Sequence, residues 1–317
     1  MVSRMDKTRG FVTVATGSDG YYKMAADLLL SYRGRGKGKY PFALICDREN
    51  EYTAVFDHVV VVDEFRRSTV DKLLLRHSPY RESIFLDADM LVLENIDDLW
   101  DVFREADDVC VFGRELPLDS QDGWFTYEGS GAYKSMVRYM LAMNGGIYYF
   151  RNTPRGQKII DDALKVIGDY NTIDFKYFDT PQDEPLMALS MVINDCSPGE
   201  AGYPMLILPV CEGRVTADFL GNVYEGKRRS DAKLIHFSSP RTKLFLYNYL
   251  NEINHHPAQW QSKANFLRMK AQFAAADMKF DLYHNVGAAL RRCRMGGFVE
   301  KAKSILYGKT TDLRNTE

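Results

Sequence analysis

The chain has 317 residues, 45% of them hydrophobic and 26% charged, with a formal net charge of −2. That balance is ordinary for a globular protein, long enough for one large α/β domain with an appendage, and gives no whole-protein electrostatic reason to expect a nucleic-acid partner. The charge is uneven, however: residues 261–317 carry eleven Lys/Arg against five Asp/Glu, which makes this tail +6 and the remainder −8. Five scattered cysteines without a C-x-x-C pair argue against a disulfide framework or a zinc ribbon and fit a reducing cytoplasm. Residues 11–15 form too short an apolar run for a signal peptide, and no eighteen consecutive residues are apolar. A chain that is neither secreted nor membrane-spanning is therefore expected.

In chain order, residues 11–16 read as a β-strand, followed by the turn Gly17-Ser18-Asp19-Gly20 and a helix with Ala25, Leu28, Leu29 and Tyr32 on one face. Strand, polar turn and helix make the opening of a nucleotide-binding α/β unit, although the turn is not a G-x-G-x-x-G fingerprint. The basic, glycine-rich residues 33–39 read as a solvated connection. Residues 41–46 and 58–62 are buried strands by composition. Residues 63–80 read as helical, with Val70, Leu73, Leu74 and Leu75 apolar and Pro79 closing the segment.

The next strand ends in Asp87-Ala88-Asp89, inside the apolar run of residues 84–93. Residues i and i+2 of an extended chain point to the same side, so the two carboxylates can face one ion. Buried acids need a cation or hydrogen bonds to offset their desolvation. Asp87 and Asp89 are thus candidate metal ligands at a strand's carboxyl end, where open α/β sheets bind ligands.

Residues 97–100 open a helix and residues 109–112 another strand. Residues 117–134 form a long polar segment with Trp124, Phe125, Tyr127 and Tyr133, of a length typical of functional loops; its aromatic faces suit sugar rings. Asn144-Gly145-Gly146 enters an apolar strand, where glycines let a ligand or backbone approach closely. An amphipathic helix spans residues 154–168. Residues 180–187 begin another, with Pro185 in its first turn, and the helix dipole by itself accounts for Asp183 and Glu184 there. Late strands cover residues 205–209 and 233–237, the second containing His236, with Arg241 and Lys243 close behind. Beyond residue 243 the pattern is helical and basic.

A nucleotide-type opening, a lysine-bearing helix, Asp-x-Asp, Asn-Gly-Gly and a late strand with His, in that order, resemble the retaining glycosyltransferases of the family-8 type. That group has the GT-A fold and includes glycogenin and the bacterial lipopolysaccharide galactosyltransferases. The resemblance covers residues 11–243. It implies a Rossmann-like, mostly parallel twisted sheet flanked by helices over residues 1–250, with residues 251–317 as a basic C-terminal helical extension. It further implies Mn²⁺ or Mg²⁺ held by Asp87, Asp89 and His236, and a donor, a UDP-sugar, contacted by Ala15, Thr16, Tyr22, Lys72, Asp87, Ala88, Asn144, Gly145, Arg241 and Lys243. Asp183 and Glu184 would lie beside the anomeric carbon, and the acceptor would be a carbohydrate, glycolipid or glycoprotein.

Two positions depart from the family pattern. An acid, Glu184, stands where the family often has an amide, and Ser239 takes the place of the glycine after the histidine, with Lys243 one residue late. Two alternatives compete with a transferase: a haloacid-dehalogenase-like phosphatase with Asp87 as nucleophile, and a non-catalytic carbohydrate-binding scaffold. The basic C-terminal segment also suits peripheral contact with an anionic inner membrane face.

Overall fold

The computed structural model of the chain describes residues 8–176, 178–199, 203–207, 232–237 and 271. By its contacts the chain divides into two units, Met1–Leu206 with Ala232–His236, and Ile207–Asp231 with Phe237–Glu317. Nearly all the described residues belong to the first. Arg241, Lys243 and the expected basic helices lie outside the described residues.

The first unit alternates strands and helices as its apolar runs require. Strand β1 (Arg9–Ala15) leads into helix α1 (Asp19–Gly34), then β2 (Phe42–Cys46) and β3 (His58–Val61). A 3₁₀ segment, Thr69–His77, precedes β4 (Glu82–Leu86) and the short β5 (Met90–Val92). Helix α2 (Leu99–Val102), β6 (Val109–Leu116), β7 (Met140–Arg151), α3 (Pro154–Val166) and α4 (Asp183–Ile193) follow, and then β8 (Met205–Ile207) and β9 (Leu234–His236). The start of α3 illustrates the local logic: Pro154 occupies the first turn, where a missing N–H costs nothing, and the Thr153 side chain accepts from the Gly156 N–H.

Six strands form a sheet in the order β3-β2-β1-β4-β7-β6. β1, β2, β3 and β4 run parallel, and β7 is antiparallel to both β4 and β6. This is the mixed α/β architecture, with a mostly parallel sheet, that the sequence leads one to expect. The strand order reverses at β1, whose neighbours are β2 and β4, and a crevice opens at such a switch point beyond the carboxyl ends of the strands. The alternation of side chains sorts the core into two layers. Val12, Phe85 and Tyr148 face the 3₁₀ segment, α3 and α4, whereas Phe11, Ile84 and Tyr149 face α1 and β5.

Residues 63–80 depart from the expected helix. The Asp71 carboxylate accepts the N–H groups of Arg66 and Arg67, at 2.6 and 2.8 Å, and the segment continues as a tighter 3₁₀ turn over Thr69–His77. Asn144-Gly145-Gly146 lies within β7 rather than before it. The first part of β7 pairs with β6 alone, Met140 to Met143 against Leu116 to Gly113, and β4 joins only from Ile147, opposite Leu86. The glycine pair therefore occupies the stretch of β7 where β4 ends.

A second sheet has the order β5-β9-β8, with Met90 opposite His236. No helix among the described residues is long and apolar enough to cross a membrane.

Candidate active site

Asp87 follows the last residue of β4. Its N–H donates to the Gly146 carbonyl at 3.0 Å, and its own carbonyl accepts from Met90 N at 3.1 Å. That turn carries the chain from one sheet to the other and leaves Asp87 and Asp89 on either side of the buried Ala88. Pairing of β5 with β9 sets His236 beside them. The imidazole Nε2 is 3.2 Å from Asp89 Oδ1 and 3.5 Å from Asp87 Oδ2. One ligand atom from each of Asp87, Asp89 and His236 can be chosen so that all three lie within 4.8 Å of one another. Two hard carboxylate oxygens and an imidazole nitrogen are a donor set suited to a divalent cation.

Lys72 approaches the same acids from the 3₁₀ segment. Its ammonium is 2.8 Å from Asp87 Oδ2, 3.1 Å from Asp183 Oδ2, and 3.4 Å from the Gly145 carbonyl, to which it donates. Helix α4 contributes both acids of its first turn. Asp183 accepts from the Tyr148 hydroxyl at 3.1 Å, and Glu184 Oε1 accepts from the Gly145 N–H at 2.6 Å. The two acids thus reach across to β7 and do more than complement the helix dipole. Asn144 Oδ1 accepts from the Gly146 N–H at 3.0 Å, which turns its side chain back over the strand.

The glycines leave room for the side chains that converge here. A Cβ on Gly145 would lie 2.6 Å from Asp183 Oδ2, 2.7 Å from Glu184 Cγ and 2.7 Å from the Tyr148 hydroxyl. One on Gly146 would meet Met90 Cε at 2.4 Å and His236 Nδ1 at 2.9 Å.

Proton affinities follow from burial and from these contacts. For Lys72 burial opposes the charge, but Asp183 and Asp87 outweigh it and raise the ammonium above the ordinary lysine value. Burial pushes Asp87 upward; Lys72 and His236 overcome this and hold the carboxyl well below its usual range. Asp183 and Glu184 are raised, mainly by burial. His236 is disfavoured as a cation by burial, yet its bonds to Asp87 and Asp89 raise it to about 9.

Ala15 ends β1 and Thr16 follows it. Thr16 is buried and its hydroxyl donates to Asp71 Oδ2 at 2.5 Å, one residue before Lys72, and Ala15 is buried beside it. Tyr22 is fully buried with its hydroxyl on Asp47, beneath the Arg48 guanidinium at 4.9 Å from the ring centroid. Its neighbour Tyr21 is the exposed one, at 50%. Asp71, Asp47 and Tyr148 belong to the surroundings of these residues without forming part of any sequence motif. Asp71 adjoins Lys72, a weak sequence signal, whereas Asp47 carries none and Tyr148 is one of two adjacent buried tyrosines that the sequence does not distinguish.

No protein-family model and no curated protein matches the chain. Among solved structures it is similar to the apo form of the bifunctional glycosyltransferase WbbM, at 12% identity and TM-score 0.49, covering 85% of this chain and 53% of that one. It is similar to the galactosyltransferase LgtC in complex with donor and acceptor sugar analogs, at 12% identity and TM-score 0.48, covering 80% and 99%. The glycosyltransferase GlyE of Streptococcus pneumoniae is matched at 11% identity and TM-score 0.48, covering 85% and 64%. The chain thus spans about half the length of WbbM, under two thirds of GlyE and nearly all of LgtC. These similar solved structures are all glycosyltransferases, one of them with sugar analogs bound.

Proposed function

We propose that this chain is a metal-dependent glycosyltransferase that moves a sugar from a nucleotide diphosphate sugar, a UDP-sugar in the first instance, to an acceptor hydroxyl with retention at the anomeric carbon. The observation that carries this reading is the convergence of Asp87, Asp89, His236, Lys72, Asp183 and Glu184 at the carboxyl end of β4. Three metal-type donors, a half-buried ammonium, the buried acid Asp183 and the half-buried acid Glu184 are what departure of a diphosphate from a sugar calls for.

Mn²⁺ or Mg²⁺ held by Asp87, Asp89 and His236 would supply Lewis-acid neutralisation of the leaving diphosphate, the imidazole favouring Mn²⁺. Lys72 adds a fixed positive charge that needs no reorganisation as negative charge develops. Arg241 and Lys243 are assigned the same task from the sequence resemblance. Asp183 and Glu184 present negative charge to an oxocarbenium-like centre, as carboxylates do in glycoside hydrolysis. Asn144 and Gly145 are assigned to the donor sugar, and Ala15, Thr16, Tyr22 and Ala88 border the rest of the donor. The catalytic domain in this reading is residues 1–250, with residues 251–317 as a separate basic extension. The phosphatase alternative expects its nucleophile early in the domain, whereas Asp87 follows the fourth strand in chain order.

A thermal-shift screen of nucleotides and nucleotide sugars, with and without Mn²⁺, tests the proposal, since specific binding raises apparent stability by mass action. A Mn²⁺-dependent rise with UDP or a UDP-sugar, abolished by Asp89→Asn, is expected. A rise that is the same without the metal, or that survives Asp89→Asn, counts against it.

A further inference from the structure

Tyr148 lies in the buried part of β7, between Phe85 of β4 and Val111 of β6 in register. Its ring packs against Phe85 with centroids 5.7 Å apart and is 3% exposed. A phenylalanine would fill that apolar setting equally well, and a buried hydroxyl is costly unless it is bonded. The hydroxyl's partner is therefore the informative feature, and that partner is Asp183 Oδ2 at 3.1 Å. Burial first, and then the carboxylates of Asp183 and Glu184, hold the phenol proton well above its ordinary range, so Tyr148 remains a donor.

Lys72 touches the same Asp183 oxygen but divides its charge, since Asp87 lies closer at 2.8 Å and the Gly145 carbonyl also accepts from it. In the reaction proposed above Lys72 must also answer the donor's diphosphate. Tyr148 has no such second task. The Tyr148 hydroxyl, Asp183 Oδ2 and Glu184 Cγ all lie within 2.7 Å of the point a Gly145 Cβ would occupy. Phenol and acids together fill the space above Gly145, at the residue assigned to the donor sugar.

We propose that Tyr148 is a positioning residue of the transfer reaction: its hydroxyl fixes the Asp183 carboxylate above Gly145, independently of the demands made on Lys72. The inference rests on the glycosyltransferase reading. It deepens that reading by naming the group that keeps an acid at the reacting centre in place.

The test is a double-mutant cycle on the full chain. Turnover of nucleotide sugars with Mn²⁺ and water as acceptor is measured for the unmodified protein, Tyr148→Phe, Asp183→Asn and the double variant, below the melting midpoint of all four. A hydrogen bond to a charged group is worth about tenfold or more in rate, so Tyr148→Phe should lower kcat by about that factor. The donor KM should stay within about twofold, because ground-state binding is not what the hydroxyl provides. In the Asp183→Asn background the same substitution should change kcat little, a coupling that a purely structural role would not produce. Equal losses in both backgrounds, or an unchanged kcat in Tyr148→Phe, overturn the positioning role while leaving the transferase reading intact. No turnover of any nucleotide sugar by the unmodified chain overturns both.

Discussion

Replacing Lys72 with methionine removes one charge but little volume, so its cost reports the electrostatics of the site. The ammonium stands 2.8 Å from Asp87 and 3.1 Å from Asp183, with side-chain exposures of 17% for Lys72, 19% for Asp87 and 4% for Asp183. Removing one partner of a buried ion pair costs about 3–5 kcal/mol, because the surviving charge stays buried without compensation. Two carboxylates are stranded here, but Asp87 keeps His236 at 3.5 Å and Asp183 keeps the Tyr148 hydroxyl. The whole substitution should therefore stay within about 3–5 kcal/mol at pH 7, or roughly 6–20 °C in Tm for a folding unit of this size.

The sign of the pH dependence follows from these proton affinities. Burial opposes the Lys72 charge, Asp183 and Asp87 overcome it, and the raised value means the contribution is complete below the ordinary lysine range and is lost only above it. It is whole at pH 7. Asp183 is raised by burial, and removing the ammonium raises it further, so the loss in Lys72→Met should shrink on acidification and not grow. Urea unfolding at pH 7 and pH 5, with and without Mn²⁺, reads both effects, and the cation should restore the Asp87 share only. A loss below about 1 kcal/mol, the level of an exposed ion pair, or a loss that grows on acidification would refute the reasoning.

Three further outcomes are expected. His236 is raised from 6.5 to about 9 in the metal-free protein, burial being outweighed by Asp87 and Asp89. Its stabilisation is complete below the unfolded value and lost as pH rises through the folded one, at about 1.4 kcal/mol for each tenfold gain in proton affinity, hence up to about 3 kcal/mol. Melts from pH 6 to pH 9.5 should show that decline relative to His236→Gln, and parallel curves would contradict it. The same proton competes with a cation, so Mn²⁺ affinity should rise with pH over this range. Gly145→Ala inserts a methyl group 2.6 Å from Asp183 Oδ2 and 2.7 Å from the Tyr148 hydroxyl. It should cost about 1–3 kcal/mol by overpacking, read as a lower urea midpoint, and an unchanged midpoint would show that β7 and α4 are not interlocked there.

Much of this architecture is local and therefore legible along the chain. The apolar run at Phe42–Cys46 and the one that begins at Ile84 within β4, the turn before α1, and Pro154 with Thr153 at the start of α3 are each decided by neighbouring residues. Asp87 and Asp89 are recognisable because two acids in an apolar run at i and i+2 demand an explanation wherever the chain folds. Local chemistry also says that Asp183 and Glu184 suit a helix start, and it stops there.

Tertiary structure alone decides what those acids touch. The antiparallel course of β7 brings Gly145 and Tyr148 under α4, and nothing in residues 140–151 by themselves dictates that reversal. Pairing of Met90 with His236 joins β5 to a strand far along the chain, a choice set by sheet packing and not by local propensity. Asp71, in the 3₁₀ segment that carries Lys72, collects two backbone N–H groups and the Thr16 hydroxyl, the last from 55 residues away along the chain. Periodicity and turn chemistry act over a few residues, so the sequence by itself determined most of the elements, the 3₁₀ segment excepted, and named the acids. Which charge neutralises which depends on distances that only the packed sheets define, because Coulomb and hydrogen-bond energies fall off within a few ångströms while the residues that meet are scattered along the chain.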